Sequence, residues 1–392
     1  MKLRHLGKIF FMWVMLFATS PTLISQTTDS IAEAPVGVLS RMMALAENGM
    51  DYLTFKSGRH SLVILPVAGY SPVAGLEMGL MPIWRIEPSE RKGTLYYRPT
   101  TISPSFIASS TGMFEVELDV ETFTRHLWTT KLKSQFVYIP DRFFPVGNKQ
   151  VDIKPTKYKA YRYRLEGHLM KGVGERYFYG IEVDAGYNEH QPRESMMIPA
   201  DVVGANGGWC NALGPMFAYD TRDNSTWPCH GVYLKLSSLF AGAALGSEYA
   251  YRQVSFDGRW FFTPIKSDPG VVASQFFAET GSGDIPFYKL PTIGGKYALR
   301  GISHPLKYSD RQAWYAQSEY RRHLWWRFGG VVFSGIGSSF HVYDDALRSL
   351  FYNVGAGLRI RVLPGENLHL RVDYGVANGG DHGLYLTLRE AF

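Results

Sequence analysis

The feature that most constrains this chain is one of segment length. Beyond residue 18 no stretch approaches the about 18 consecutive apolar residues of a membrane-spanning helix, yet short segments of alternating polarity recur to the last residue. From Tyr352, YNVGAGLRIRVL places Val354, Ala356, Leu358, Ile360 and Val362 on one face, against Asn353, Gly355, Gly357, Arg359 and Arg361 on the other. After the turn PGEN the pattern returns, Leu368, Leu370, Val372, Tyr374 and Val376 opposing His369, Arg371, Asp373 and Gly375. That is the period of a β-strand with one apolar face. A single such hairpin would also suit a half-buried soluble sheet, so number and length decide. Similar segments fall near 62–70, 75–85, 101–110, 113–123, 129–139, 157–170, 176–187, 212–220, 231–240, 248–262, 271–281, 311–322, 326–338, 351–363, 367–377 and 383–392. An even number of strands, each of about ten residues, predicts an all-β fold: a 16-stranded antiparallel transmembrane β-barrel over residues 61–392. Closure also removes the edges that so large an open sheet would have to protect.

Composition agrees. Aromatic residues make up 15% of the chain and glycine contributes 40 residues, which suits strands, tight turns and aromatic belts. The start of the chain, MKLRHLGKIFFMWVMLFATSPTLISQ, has the layout of a secretory signal: three basic residues, an apolar core from Ile9 to Ala18, then small and polar residues. That core falls short of the about 20 residues of a span. Residues 1–25 are therefore expected to be a signal peptide cleaved near Ser25 or Gln26, and with no cysteine there no lipid anchor is expected. Removing Lys2, Arg4 and Lys8 takes 41 basic residues to 38 against 35 acidic ones, so the formal charge falls from +6 to +3. So slight a balance, without basic runs, does not point to nucleic acid. Residues 26–60 form a short N-terminal segment. In it, Pro35, the helically spaced Leu39, Met42, Met43 and Ala46, and Gly49 predict a short amphipathic helix. Cys210 and Cys229 are placed by the strand pattern at opposite ends of a wall about 25 Å tall, so two free thiols are expected.

The polar faces carry paired charges. Glu115, Glu117, Asp119 and Glu121 line one strand, and the next offers Lys131, Lys133 and Gln135; Arg162, Arg164 and Glu166 meet Glu182 and Asp184 in the same way. Each cross-strand pair is worth about 0.2 to 1 kcal/mol, so these ladders read first as the polar inner wall of a wet lumen, and second as a selectivity filter. Histidines such as His168, His304 and His369 are scattered, with no metal-binding, phosphate-binding or nucleophile motif. No enzyme, cofactor or metal is expected; His369 and Asp373 read as wall polarity.

Three stretches carry more than barrel physics: LPTIGGKYALRGISHPLKYSDRQ in the longest late connection, YDTRDNSTWPCHGVYLKLS, and the run from NVGAGLRIRVLPGENLHLRVDYG to the final Phe392. In this order they resemble the BamA/TamA superfamily of outer-membrane assembly and translocation barrels, the bacterial surface antigen family, over essentially the whole mature chain. The resemblance implies an extracellular loop folded into the lumen, presenting an arginine in an (L/V)RG(F/Y) motif. The matching residues are Leu299, Arg300 and Gly301, preceded by Gly294 and Gly295, with Ile302 in place of the aromatic. The implied lumen partner of Arg300 is Glu319, whose parity groups it with Gln317 and Arg321. A second acid carried by some relatives is replaced by Gly335. Asp220, Arg222, Asp223 and Asn224 resemble the family's tight periplasmic turn, where their role would be to satisfy turn backbone. Leu384, Leu386, Leu388 and Phe392 share one parity and resemble the C-terminal barrel signal, a last strand running to the last residue.

Members of the family carry POTRA domains before the barrel, whereas about thirty residues stand there here, so a barrel-only member is expected. The resemblance implies an integral protein of the Gram-negative outer membrane, a subunit in outer-membrane protein biogenesis or export. Periplasmic or lipoprotein partners would replace the POTRA domains, and client polypeptides would be its cargo. The alternatives are a passive pore or scaffold that lost the insertase role and, on the strength of long loops near 188–211 and 282–310, a surface adhesin. The first strand, SLVILPVAGY, alternates poorly and holds Pro66, which cannot donate to a ladder. It reads either as a lateral seam or as an imperfect edge.

Overall fold

A computed structural model describes residues 54–87, 99–124, 126–147, 155–192, 198–224, 227–265, 270–361, 369–388 and 390–392. The chain divides into an N-terminal unit, 1–56, and a second unit, 57–392, with the short strand Thr54–Ser57 at the division. The expected signal peptide and the helix expected within 35–49 lie outside the described residues.

The second unit is a closed antiparallel barrel of sixteen strands. They are β1 (His60–Ser71), β2 (Gly75–Ile86), β3 (Thr100–Ser109), β4 (Phe114–Phe123), β5 (Trp128–Phe143), β6 (Thr156–Val173), β7 (Tyr177–Pro192), β8 (Gly207–Asp220), β9 (Gly231–Ala241), β10 (Tyr251–Phe262), β11 (Val271–Gly283), β12 (Gln312–Trp325), β13 (Phe328–Phe340), β14 (Phe351–Arg361), β15 (His369–Ala377) and β16 (His382–Leu388). Each pairs with its neighbour in sequence, and β16 returns to β1 to close the ring.

The alternation sorts side chains between two solvents. Leu76, Leu80, Phe106, Leu118, Tyr163, Phe217, Trp260, Val332, Tyr352, Val354 and Leu358 stand exposed on the outer face, the side that lipid would cover. Facing inward, Asp119 opposes Lys133 and Glu121 opposes Lys131, while Lys133 reaches diagonally to Glu117 at 2.7 Å. Arg164 binds Asp184 at 3.2 Å, and both cysteines are free.

Two expectations need correction. Strands β5 to β8 are longer than the alternation indicated, and β8 begins at Gly207 rather than near 212, because its ladder with β7 continues to Glu189 opposite Gly207. The last strand does not run to the last residue. It ends at Leu388, and Glu390 to Phe392 leave the ladder and turn inward. Phe392 is therefore buried with Phe261, Ala273 and Ala391, while Leu384 faces out. The shared parity of Leu384 and Phe392 lost its meaning once the chain left the strand.

One joint differs from the rest. The ladder of β15 with β16 runs from Leu370 opposite Leu388 to Val376 opposite His382, whereas among the described residues β16 meets β1 in register only at Leu386 and Tyr70. Pro66 lies within β1, opposite Leu80 of β2.

Candidate functional site

Between β11 and β12 the connection 284–311 turns into the barrel. We refer to its end as the loop mouth and to the end where β16 stops as the terminal mouth. Inside, Ile293, Leu299 and Ile302 are fully buried and pack with Tyr308, Ala313, Tyr315 and Phe351. The loop presses its backbone against the wall where glycine permits it. Gly301 adopts φ +120°, and a Cβ there would lie 2.9 Å from the Val376 carbonyl carbon; across the contact, a Cβ on Gly375 would lie 2.4 Å from the Arg300 oxygen. Gly335 has a similar use. The Leu299 side chain fills the space above it, so the site where some relatives carry a second acid here receives the loop's leucine.

Arg300 is completely buried. Its Nη2 donates to Glu319 Oε2 at 2.6 Å and its Nη1 to Asp373 Oδ2 at 2.7 Å, while its guanidinium lies 3.6 Å from the centre of the Phe333 ring. The expected partner Glu319 is thus in place, and a second acid exists after all. It comes from β15 rather than from the strand following Glu319. Asp373, which its parity alone presents as wall polarity, is a direct ligand of the loop arginine. A buried guanidinium needs such compensation, since an unpaired charge away from water is prohibitive.

Both carboxylates are shared. Glu319 Oε1 accepts from Arg321 Nε at 2.5 Å, and Asp373 Oδ1 accepts from Arg359 Nη1 at 2.6 Å, with Arg371 3.4 Å from the same carboxylate. Arg321 goes on to donate to the Phe392 oxygen at 2.9 Å, and Arg359 to Glu390 at 2.7 Å. Wall side chains also satisfy the loop backbone. Asn353 donates to the Arg300 oxygen at 2.6 Å, Gln317 to Tyr297 at 2.9 Å, Arg371 to Lys296 at 2.7 Å and Tyr385 to Ile302 at 2.9 Å.

The loop has further anchors that its sequence did not reveal. His304 Nε2 meets Asp141 of β5 at 2.7 Å, and its Nδ1 accepts from the Leu306 amide, which assigns the ring proton to Nε2. Tyr158 and Arg162 also bind Asp141. Lys289 reaches Asp184 at 2.7 Å, and Lys307 reaches Asp381 at 2.8 Å. Two lysines, a histidine and an arginine of one loop therefore grip acids on β5, β7, β12 and β15 and in the turn before β16. Beside them a cavity of about 670 Å³ remains, lined by residues of both charges, among them Glu115, Lys235, Glu279 and Lys296, and reaching Tyr70 and Leu386 at the joint.

At the terminal mouth Asp220 Oδ1 accepts from the Arg222 amide at 3.0 Å and Asp220 Oδ2 from its guanidinium at 2.8 Å. Asp223 accepts from the amides of Cys229 and His230, and Asn224 from that of Trp227. This is the backbone-satisfying role that such residues play in turns. Burial, and then the Asp223 carboxylate, push the Cys229 thiol in this turn above its ordinary range.

A closed barrel whose lumen holds an inserted loop, locked by one arginine between two wall acids, defines a plugged transmembrane β-barrel. Residues 100–388 match the Omp85 superfamily domain, and the chain belongs to that superfamily of outer-membrane barrels. Among solved structures it is similar to BamA from Haemophilus ducreyi lacking POTRA domains 1–3, at 13% identity and a TM-score of 0.54, covering 85% of this chain and 70% of that one. It is also similar to CdiB from Acinetobacter baumannii, at 10% identity and a TM-score of 0.53, covering 85% of this chain and 60% of that one. At such identities the likeness is one of fold, and this chain spans less than two thirds of the CdiB chain. No curated protein sequence matches it.

Proposed function

We propose that this barrel serves outer-membrane protein biogenesis or export in a Gram-negative cell, inserting or passing polypeptide at the joint between β1 and β16, without catalysing a reaction. The observation that carries the reading is the joint itself, held in register among the described residues only at Tyr70 and Leu386, while β1 pairs with β2 and β16 with β15 along their length. Every missing rung lowers the cost of separating the two strands, since a backbone hydrogen bond contributes about 0.5 to 1.5 kcal/mol net. The mixed-charge cavity reaches the inner side of the same joint, which gives an extended chain a polar path to it. Arg300 and Glu319 anchor the loop that lines this cavity. Periplasmic or lipoprotein partners supply the docking of client chains.

The test is a lock. Directly opposed residues of an antiparallel pair stand with Cβ atoms about 4.5 to 5.5 Å apart, within reach of a strained disulfide after slight adjustment. Tyr70→Cys with Leu386→Cys, in a Cys210→Ala and Cys229→Ser background, should pair on oxidation and close the joint. The oxidised barrel is expected to fail to replace the native protein in a depleted strain, and reduction should restore it. Full function of the locked barrel would leave the passive pore or scaffold as the reading.

A further inference from the structure

The connection 341–350 joins β13 to β14 at the loop mouth, yet it folds away from the lumen. On β12 Ala313 and Tyr315 face inward and pack with the inserted loop, so Trp314 between them points outward. On β11 Phe277 and Glu279 line the cavity, which turns Thr280 outward in the same way. These two outward residues hold the connection. The Trp314 indole N–H donates to the Ala346 oxygen at 3.2 Å, and the Tyr343 and Thr280 hydroxyls stand 3.2 Å apart. Tyr343 therefore reaches back past β12 to β11 along the outside of the rim. Its ring also meets that of Phe340 edge-on, with centroids 6.0 Å apart. Backbone bonds from Asp345 to Val342, from Ala346 to Tyr343 and from Arg348 to Asp345 close the segment into consecutive turns.

What this segment leaves uncovered is apolar. Among the described residues Leu347 is 72% exposed, Tyr343 69% and Val342 51%, with Leu350 beside them. Apolar side chains scattered singly are ordinary on a protein surface, but four within one short connection form a patch that marks an interface. The patch is continuous with the outer wall. Leu350 leads directly into Tyr352 and Val354 of β14, and Ile336 of β13 stands opposite Tyr352, all exposed on the face that lipid would cover. The segment also pairs charges within itself, Arg348 Nη1 with Asp345 Oδ1 at 2.9 Å. We propose that 341–350 is an interfacial anchor and that bilayer lipid covers its patch. Leu347, Tyr343 and Val342 sink into the boundary between headgroups and acyl chains, and Asp344, Asp345 and Arg348 stay on the water side. Tyr343 suits such a boundary, with an apolar ring and a polar tip. The strands gripped by the segment, β11 and β12, are the two that the inserted connection joins, so the anchor sets their depth where the loop turns inward. This reading does not rest on opening at the joint of β1 and β16.

The experiment reads depth. Val342→Cys, Asp344→Cys and Leu347→Cys are made singly in the Cys210→Ala and Cys229→Ser background, tagged with a nitroxide, and reconstituted as the full chain in phospholipid bilayers. Tyr352→Cys on the wall serves as the lipid-facing reference. Heat-modifiable mobility establishes in each case that the barrel is folded. Electron paramagnetic resonance then compares collisions of the nitroxide with oxygen, which gathers in hydrocarbon, and with a water-soluble nickel chelate. The ratio of oxygen to chelate collisions at 342 and 347 is expected to exceed that at 344 by about threefold or more, for side chains sunk about 5 to 10 Å into the boundary, and to approach that at 352. Because every site carries the same label, the label's own affinity for lipid does not separate them. A ratio at 342 and 347 no higher than at 344 would place the patch in water and overturn the proposal. Few collisions with either probe would mean that protein covers the patch, a second copy or another segment of this chain, and would overturn it equally.

Discussion

How many buried partners each side chain serves predicts which member of the Arg300 cluster is harder to lose. Arg300, Arg321, Arg359 and Arg371 are buried with Glu319, Asp373, Glu390 and the Phe392 oxygen that Arg321 binds. Among the described residues each guanidinium keeps one buried N–H without a protein acceptor: Arg300 Nε, Arg321 Nη1, Arg359 Nη2 and Arg371 Nη1. Glu319→Gln would deprive Arg300 and Arg321 together of their shared anion. Arg300→Ala would instead leave each of its two acids on another guanidinium, Glu319 on Arg321 and Asp373 on Arg359. Removing one partner of a buried ion pair costs about 3 to 5 kcal/mol, so Glu319→Gln should fall near the upper end and Arg300→Ala near the lower. Because the two side chains touch, the double variant should cost at least about 1 kcal/mol less than the sum of the singles. Urea unfolding of the barrel in lipid bilayers, followed by tryptophan fluorescence and by heat-modifiable mobility, measures all four proteins. A greater loss for Arg300→Ala than for Glu319→Gln, or strict additivity, would refute the reasoning.

Other consequences follow from the same contacts. Arg300→Lys should behave much as Arg300→Ala does, since one ammonium cannot bridge Glu319 and Asp373 while lying flat on Phe333, and unfolding midpoints would show it. Gly301→Ala should sharply lower the amount of folded barrel in the outer membrane, because its Cβ meets the β15 backbone, which cannot yield as a flexible side chain could. Asp141→Asn should weaken the His304 anchor without dissolving the barrel, so limited trypsinolysis after Lys307 should quicken while the heat-modified band persists.

What could be read from the sequence, and what could not, divides along range. Strands show themselves locally, through a period of two, and so all sixteen segments and the inward parity of Gln317, Glu319 and Arg321 were legible. The loop arginine was legible through its motif. The second acid was not: Asp373 had the right parity, but its meeting with Arg300 depends on how the ring closes, over a separation of 73 residues. His304 and Asp141 lie 163 residues apart, and no local pattern links them. Phe392 misled for the opposite reason, because alternation was carried four residues past the point where the strand stops. The contact of Trp227 with His369 was not legible either, since no local pattern links residues so far apart in the chain.

The central claim is that polypeptide meets this barrel at the joint of β1 and β16. The most direct measurement places a photoreactive phenylalanine analogue at Tyr70 in living cells and, as a control, at Phe217, which is exposed on the outer face of β8, almost opposite the joint in the ring. Illumination followed by mass spectrometry of the purified adducts should find other outer-membrane polypeptides joined to position 70 and none at position 217. Adducts at neither position, or equally at both, would contradict the account.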